Sequence, residues 1–164
     1  MKKIVVLILI CIFFSSCNSK DDMEKDYVYD KRISDIANEI LEGYKNKDVD
    51  RIKNVFAYNM IWKDGKLIEK SIEESFGYID GEIVDYKEIH GGFVGGEIRD
   101  YEWVERSASA SIVDIRTDSG KEYLIRYKAY LIDEDDSDNI GVWGYVISQT
   151  KPESDESFIV GEIN

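Results

Sequence analysis

The spacing of apolar residues changes once along this chain, near Glu82, and that change limits the folds open to it. Before it, Ile33, Ala37, Ile40, Leu41 and Tyr44 recur at three- and four-residue steps. Such steps set them on one stripe of a helix, with Asp35, Asn38, Glu39 and Glu42 opposite. Asn46-Lys47-Asp48 interrupts the pattern, and Asp48 is placed to cap a second, short helix carrying Val49, Ile52, Val55 and Phe56. Asp64-Gly65 reads as a turn, and beyond it Ile68, Ile72, Phe76 and Ile79 mark a third helix that stops between Gly77 and Gly81.

After Glu82 the period is that of strands. Ile83 to Ile89 is strand-like, and His90-Gly91-Gly92 and Gly95-Gly96 read as turn or bulge positions. Ala108, Ala110 and Ile112 alternate with Ser107, Ser109 and Ser111. Thr117-Asp118-Ser119-Gly120 predicts a hairpin between that strand and the series Tyr123, Ile125, Tyr127, Ala129, Leu131. Asp133 to Asn139 is a second turn, and Ile140 to Ser148 a last strand. Residues 98–116 outrun an ordinary strand of about five or six residues, so a bend or bulge is expected within them. Three helices followed by about four antiparallel strands make an α+β domain with its helices on one face of the sheet. Lys151 to Asn164, acidic after Pro152, either extends the sheet through Phe158-Ile159-Val160 or hangs free; its composition favours a loosely packed tail.

The first residues follow a different logic. Lys2 and Lys3 precede Ile4 to Phe14, an unbroken run of 11 apolar residues, and Ser15-Ser16 supply small side chains before Cys17. A basic start, a short apolar stretch and a small-residue exit read as a secretory signal, too short for a bilayer core that needs about 20 apolar residues. Phe14-Ser15-Ser16-Cys17 resembles the lipobox of bacterial lipoproteins, with Phe14 where Leu is more usual. That resemblance implies cleavage after residue 16 and lipidation of Cys17. At least two acyl chains, palmitate among them, would then anchor the protein stably to the outer face of the cytoplasmic membrane. Asn18 to Asp26 has no apolar face and reads as a tether with a reach of roughly 30 Å. The expected organisation is a signal peptide over 1–16, the lipidated Cys17 and acidic tether over 17–26, a domain over 27–150 and a tail over 151–164.

Cleavage would leave 148 of the 164 residues, a length expected for one domain able to bury roughly two-thirds of its unfolded surface. Cys11 lies in the removed segment and Cys17 would carry lipid, so no thiol remains for a disulfide or a metal. Losing Lys2 and Lys3 takes the net charge from −13 to −15. That argues against nucleic acid, which needs clustered Lys and Arg, and against the domain lying flat on an anionic membrane. Solubility is the plain reading of the charge, and a cationic partner the alternative.

The order of elements resembles the NTF2-like (cystatin-like) fold, a curved antiparallel sheet wrapping a long helix into a cone. Tyr44-Lys45-Asn46-Lys47-Asp48-Val49-Asp50-Arg51-Ile52 is similar to the helix pair that opens many members of that superfamily. More closely, this helix pair, Asp80-Gly81-Glu82-Ile83-Val84 and Asp138-Asn139-Ile140-Gly141-Val142 resemble a family of Gram-positive bacterial lipoproteins, the domain of unknown function numbered 5104. The likeness covers most of residues 27–150 and implies a fold and a location; the family has no established activity, so no catalytic residue is carried over.

A cone of this kind can hold an apolar ligand at its open end, lined by aromatic rings and a few polar groups. Tyr86, Trp103, Tyr127 and Trp143 are the candidate ligand-binding residues on that expectation, and core packing is the alternative reading of the same rings. An NTF2-like enzyme of the isomerase or hydrolase kind would need a desolvated carboxylate base and a hydroxyl donor. Asp85 beside Tyr86, and Asp114, are the nearest approach to such a pair. Adjacent strand residues face opposite ways, so Asp85 and Tyr86 cannot share a site. His90 is the single histidine and reads as a solvated turn residue; without a second His or a free Cys, zinc and Ser-His-Asp chemistry lack parts. Asp133 to Asn139 gathers five carboxylates in seven residues but has Asp138 and Gly144 where an EF-hand requires Gly and a bidentate Glu. It reads as a charged turn, with weak calcium or cation binding the alternative. No cofactor is expected, and the reading leans against catalysis, towards recognition of a small apolar ligand or a protein partner. A homodimer through the exposed sheet face is what the NTF2-like resemblance implies.

Overall fold

The computed structural model describes residues 20–162. The predicted signal peptide and Cys17 lie outside the described residues. Two compact units divide the chain, residues 1–31 and 32–164. The described part of the first is helical, and the second holds every strand.

Helix α1 (Lys20–Asn46) carries the predicted apolar stripe: Ile33, Ala37, Ile40, Leu41 and Tyr44 are all buried. The described helix includes Lys20 to Asp26, the described part of the expected tether. Lys20 to Asp26 contains no Gly or Pro, and its acidic residues favour the positive end of a helix. Helix α2 (Val49–Lys53) starts as predicted, with the Asp48 carboxylate accepting the Arg51 backbone N–H at 2.9 Å.

Helix α3 (Tyr58–Ser75) corrects the reading of Asp64-Gly65 as a turn before the helix. Asp64 leaves the helical region (φ −133°, ψ 21°), but the result is a kink within an element that starts at Tyr58. The extra first turn is held by buried Met60, whose N–H donates to the Ala57 carbonyl.

Among the described residues the sheet has six strands rather than about four. They are β1 (Ile83–Asp85), β2 (Glu88–Arg99), β3 (Glu102–Thr117), β4 (Glu122–Asp133), β5 (Gly141–Lys151) and β6 (Glu153–Gly161). All pairings between them are antiparallel. The order is β1-β3-β4-β5-β6, with β2 beside β1 along the same side of β3. The stretch Ile83 to Ile89 is thus β1 and the start of β2, parted at Tyr86-Lys87.

The glycines expected at turns or bulges lie inside β2, whose register against β3 shifts between Phe93 and Gly95, beside the second glycine pair, and again between Glu97 and Ile98. Close approach explains Gly91: a Cβ there would sit 2.8 Å from Ile33 Cγ2, so α1 rests on bare backbone. The bulge expected within residues 98–116 is at Val113-Asp114, where Asp114 has φ +52° and the register shifts between Ile112 and Ile115. The same stretch also holds the β2–β3 turn, Asp100 and Tyr101 both at positive φ.

The predicted hairpin at Thr117 to Gly120 joins β3 to β4, and Tyr123, Ile125, Tyr127, Ala129 and Leu131 are buried on one face as their alternation requires. Residues 153–161 form β6 instead of a loose tail, pairing Phe158, Ile159 and Val160 with Ile147, Val146 and Tyr145. The helices cover the inner face. Tyr127 donates its hydroxyl proton to the Ile33 carbonyl (2.5 Å), and the Arg32 guanidinium donates to the Leu131 carbonyl (2.5 Å).

Candidate functional site

The space between helices and sheet is where a ligand or a reaction would be sheltered, and it is filled. Ile40, Leu41, Ile52, Ile68 and Ile72 from the helices meet Ile112, Ile125 and Ile147 from the sheet, all buried. Four tyrosines are buried in this interior, Tyr44, Tyr123, Tyr127 and Tyr145. Ser75 Oγ donates to the Ile72 carbonyl at 2.6 Å, leaving it to accept from Tyr44 at 2.6 Å; Tyr44 in turn accepts from Tyr145 at 2.9 Å. The hydroxyl chain therefore runs in one direction, Tyr145 to Tyr44 to Ser75 to the α3 backbone. Burial pushes the phenols of Tyr44, Tyr127 and Tyr145 well above the ordinary tyrosine range. Ser75, Ser107 and Thr117 are the buried polar residues among those described, and none is a carboxylate. No buried side-chain N or O atom among the described residues lacks a hydrogen-bond partner.

The four predicted ligand-binding aromatics are not brought together. Tyr127 faces the interior, its hydroxyl taken by Ile33. Trp143 is half-buried in β5, donating its indole N–H to the Asn139 carbonyl (3.0 Å) with its ring 5.4 Å from that of Tyr130. Trp103, near the start of β3, has the Arg106 guanidinium 5.5 Å from its ring centre. Tyr86 sits in the β1–β2 connection and donates its backbone N–H to Asp85 Oδ1 (2.8 Å). Trp103 and Trp143 lie towards one end of the sheet and Tyr86 towards the other, by the pairing of Glu105 with Asp133 and of β1 with the last residues of β3.

The candidate base and its neighbours are exposed. The Tyr86 N–H and the Arg116 guanidinium hold the Asp85 carboxyl below the usual carboxylate range, the reverse of what a buried base requires. The Asp114 carboxylate is about half exposed at the β3 bulge, 3.8 Å from Lys87 Nζ. His90 is within β2 rather than in a turn, its ring exposed and 3.0 Å from Glu88 Oε1.

In the 133–139 loop three of the five carboxylates have side-chain or backbone partners. Asp133 accepts the Asp136 N–H and the Asn139 side-chain amide, Asp136 accepts the Asp138 N–H and the Asn59 amide, and Asp135 is held by Arg99. Asp136 also caps the 3₁₀ turn Ser137–Asn139. No group of three or more potential metal-ligating side chains occurs among the described residues.

What remains are clefts on the surface. One, of about 450 Å³, lies beyond the C-terminus of α1 between Tyr44, Lys47, Phe76, Ile79 and Ile83. Another, of about 380 Å³, is on the outer face of the sheet between Val94, Ser109, Arg126, Lys128, Val146 and Ser148. Cross-strand pairing lays out that face in rows: His90, Ser111, Arg126, Val146 and Ile159 share one, and Gly92, Ser109, Lys128 and Gly144 the next. Neither row contains a carboxylate. Arg126 and Lys128 escaped the reading of the sequence, although their alternation with Ile125, Tyr127 and Ala129 already set them outward.

These features define an α+β domain whose antiparallel sheet carries helices on one face and, among the described residues, none on the other. The family model for Domain of unknown function (DUF5104) matches residues 39–149, more than half of the chain, and the chain belongs to this family. No curated protein matches it.

Proposed function

We propose that this is a non-catalytic recognition domain of an NTF2-like lipoprotein of Gram-positive bacteria. Lipid on Cys17 fastens it to the outer face of the cytoplasmic membrane, and it binds a small ligand or protein partner at its surface. The observation that carries the recognition reading is the filled interior. Ile and Leu side chains occupy it, the buried tyrosine hydroxyls have hydrogen-bond partners within the protein, and no carboxylate among the described residues is buried there. An isomerase or hydrolase of this architecture needs a desolvated carboxylate facing a donor, and Asp85 is exposed and ion-paired. The long first helix, the short capped second helix and the antiparallel run of strands support the NTF2-like assignment. The basic, apolar and small-residue order of residues 2–17 supports export and lipidation.

Metabolic labelling with a palmitate analogue tests the anchor. The full chain is expected to take up label and a Cys17→Ser chain to take up none; an unlabelled full chain would remove both the anchor and the compartment. Native mass spectrometry of the gently purified protein tests recognition by reporting any retained ligand and the stoichiometry together. Steady turnover of an ester or a ketosteroid, abolished in Asp85→Asn, would replace recognition with catalysis.

A further inference from the structure

We propose that the cleft on the outer face of the sheet binds a small monocarboxylate carrying an apolar body. The proposal deepens the surface-recognition reading and rests on it. The cleft, about 380 Å³, falls in the range of small-ligand sites, roughly 300–1,000 Å³. Its walls divide the work between two chemistries: Val94 and Val146 offer apolar contact, while Arg126, Ser109 and Ser148 offer donors.

Charge selects the occupant. The chain carries 34 acidic and 21 basic residues, yet the cross-strand row holding Arg126 has no carboxylate. Arg126 is exposed and makes no ion pair among the described residues. A guanidinium fork matches a carboxylate with two parallel hydrogen bonds, which an ammonium cannot do. The backbone amides of β3 and β4 are committed to neighbouring strands, so the face has no nest of free N–H groups of the kind phosphates use. One unpaired guanidinium with apolar walls suits one carboxylate better than a multiply charged phosphate.

A second copy of the chain is the poorer occupant. A two-fold interface whose axis passed through this cleft would set Arg126 against its own counterpart. Nucleic acid fares no better, since two cations on a molecule of net charge −13 make a small electrostatic footprint.

Calorimetric titration of the purified full chain with octanoate, with octanol as the uncharged control, tests the site. Saturable octanoate binding is expected. Octanol should bind at least about tenfold more weakly, and Arg126→Gln should weaken octanoate by about tenfold or more, the scale of one charge-assisted hydrogen bond. Arg126→Lys, which keeps charge but loses the fork, should fall between the two. Because Arg126 is exposed, the melting temperatures of both variants should match that of the parent. No saturation at millimolar octanoate, equal affinity for octanol, or unchanged affinity in Arg126→Gln would each overturn the proposal. So would an acidic peptide binding this face where octanoate does not. A chain that fails to take up palmitate label yet binds octanoate would lose its compartment and keep this site.

Discussion

Tyr145 and Tyr44 have nearly the same burial and the same chemistry, yet their hydroxyls are not equivalent. Tyr44 stands in the middle of the chain, accepting from Tyr145 and donating to Ser75. Removing its hydroxyl leaves the Tyr145 proton without a buried acceptor, which costs about 1–3 kcal/mol. Removing the Tyr145 hydroxyl leaves Tyr44 still donating to Ser75, so the loss is only that of one ordinary hydrogen bond, about 1 kcal/mol. Urea denaturation of Tyr44→Phe and Tyr145→Phe should therefore rank Tyr44→Phe as the more damaging, and equal losses would mean the chain runs the other way. Gly91 gives a second test at this scale. Its missing side chain lets α1 approach to 2.8 Å from where a Cβ would be, so Gly91→Ala should destabilise by about 1–3 kcal/mol through overpacking. The sequence shows this glycine but not its partner. A glycine pair after a histidine has the local signature of a turn, and the requirement that makes it a strand residue comes from Ile33, far away in sequence.

The elements that are legible in the sequence are those whose pattern and packing agree. The α1 stripe and the β4 alternation were readable because each apolar position is buried against a neighbour on the side its period dictates. The cap of α2 was readable for a different reason, since its chemistry is local. Asp48→Ala should cost about 1 kcal/mol, with Asp48→Asn restoring most of it, measured by thermal denaturation. Where local and long-range preferences part, the sequence misleads. Asp64-Gly65 has turn composition, but buried Met60 holds a helical turn ahead of it, and the conflict is resolved as a kink. The polar stretch before Phe158 has no strand pattern of its own and is ordered by pairing with β5. Strand register sets the aromatics apart: Tyr127 turns inward, while Trp103 and Tyr86 sit towards opposite ends of the sheet. The 133–139 loop, read as a charged turn, uses its carboxylates to cap its own backbone and to bind Asn59, Asn139 and Arg99. Millimolar calcium should leave the melting temperature unchanged, and a rise of several degrees would show that the loop can be recruited as a metal site.

At the scale of the whole molecule, the buried phenols set an alkaline limit. Tyr44, Tyr127 and Tyr145 keep their protons to higher pH in the folded chain than in the unfolded one, where tyrosine titrates near 10. The unfolded chain thus loses these protons first, so their contribution to stability is whole below about pH 10 and declines as pH rises beyond it. The melting temperature should fall above that point, and phenolate absorbance from these three rings should appear together with loss of the fold rather than before it. Smooth titration of all the tyrosines in a still-folded protein would contradict the filled interior. Meanwhile β6 closes one side of the sheet, and its outer rim carries Glu153, Asp155 and Glu156. Strands at a border invite pairing with strangers, and like charges on such a border repel them. Exchanging those three acids for threonine should leave each folded chain much as it is yet remove that repulsion, and light scattering should then show strands of neighbouring molecules pairing edge to edge.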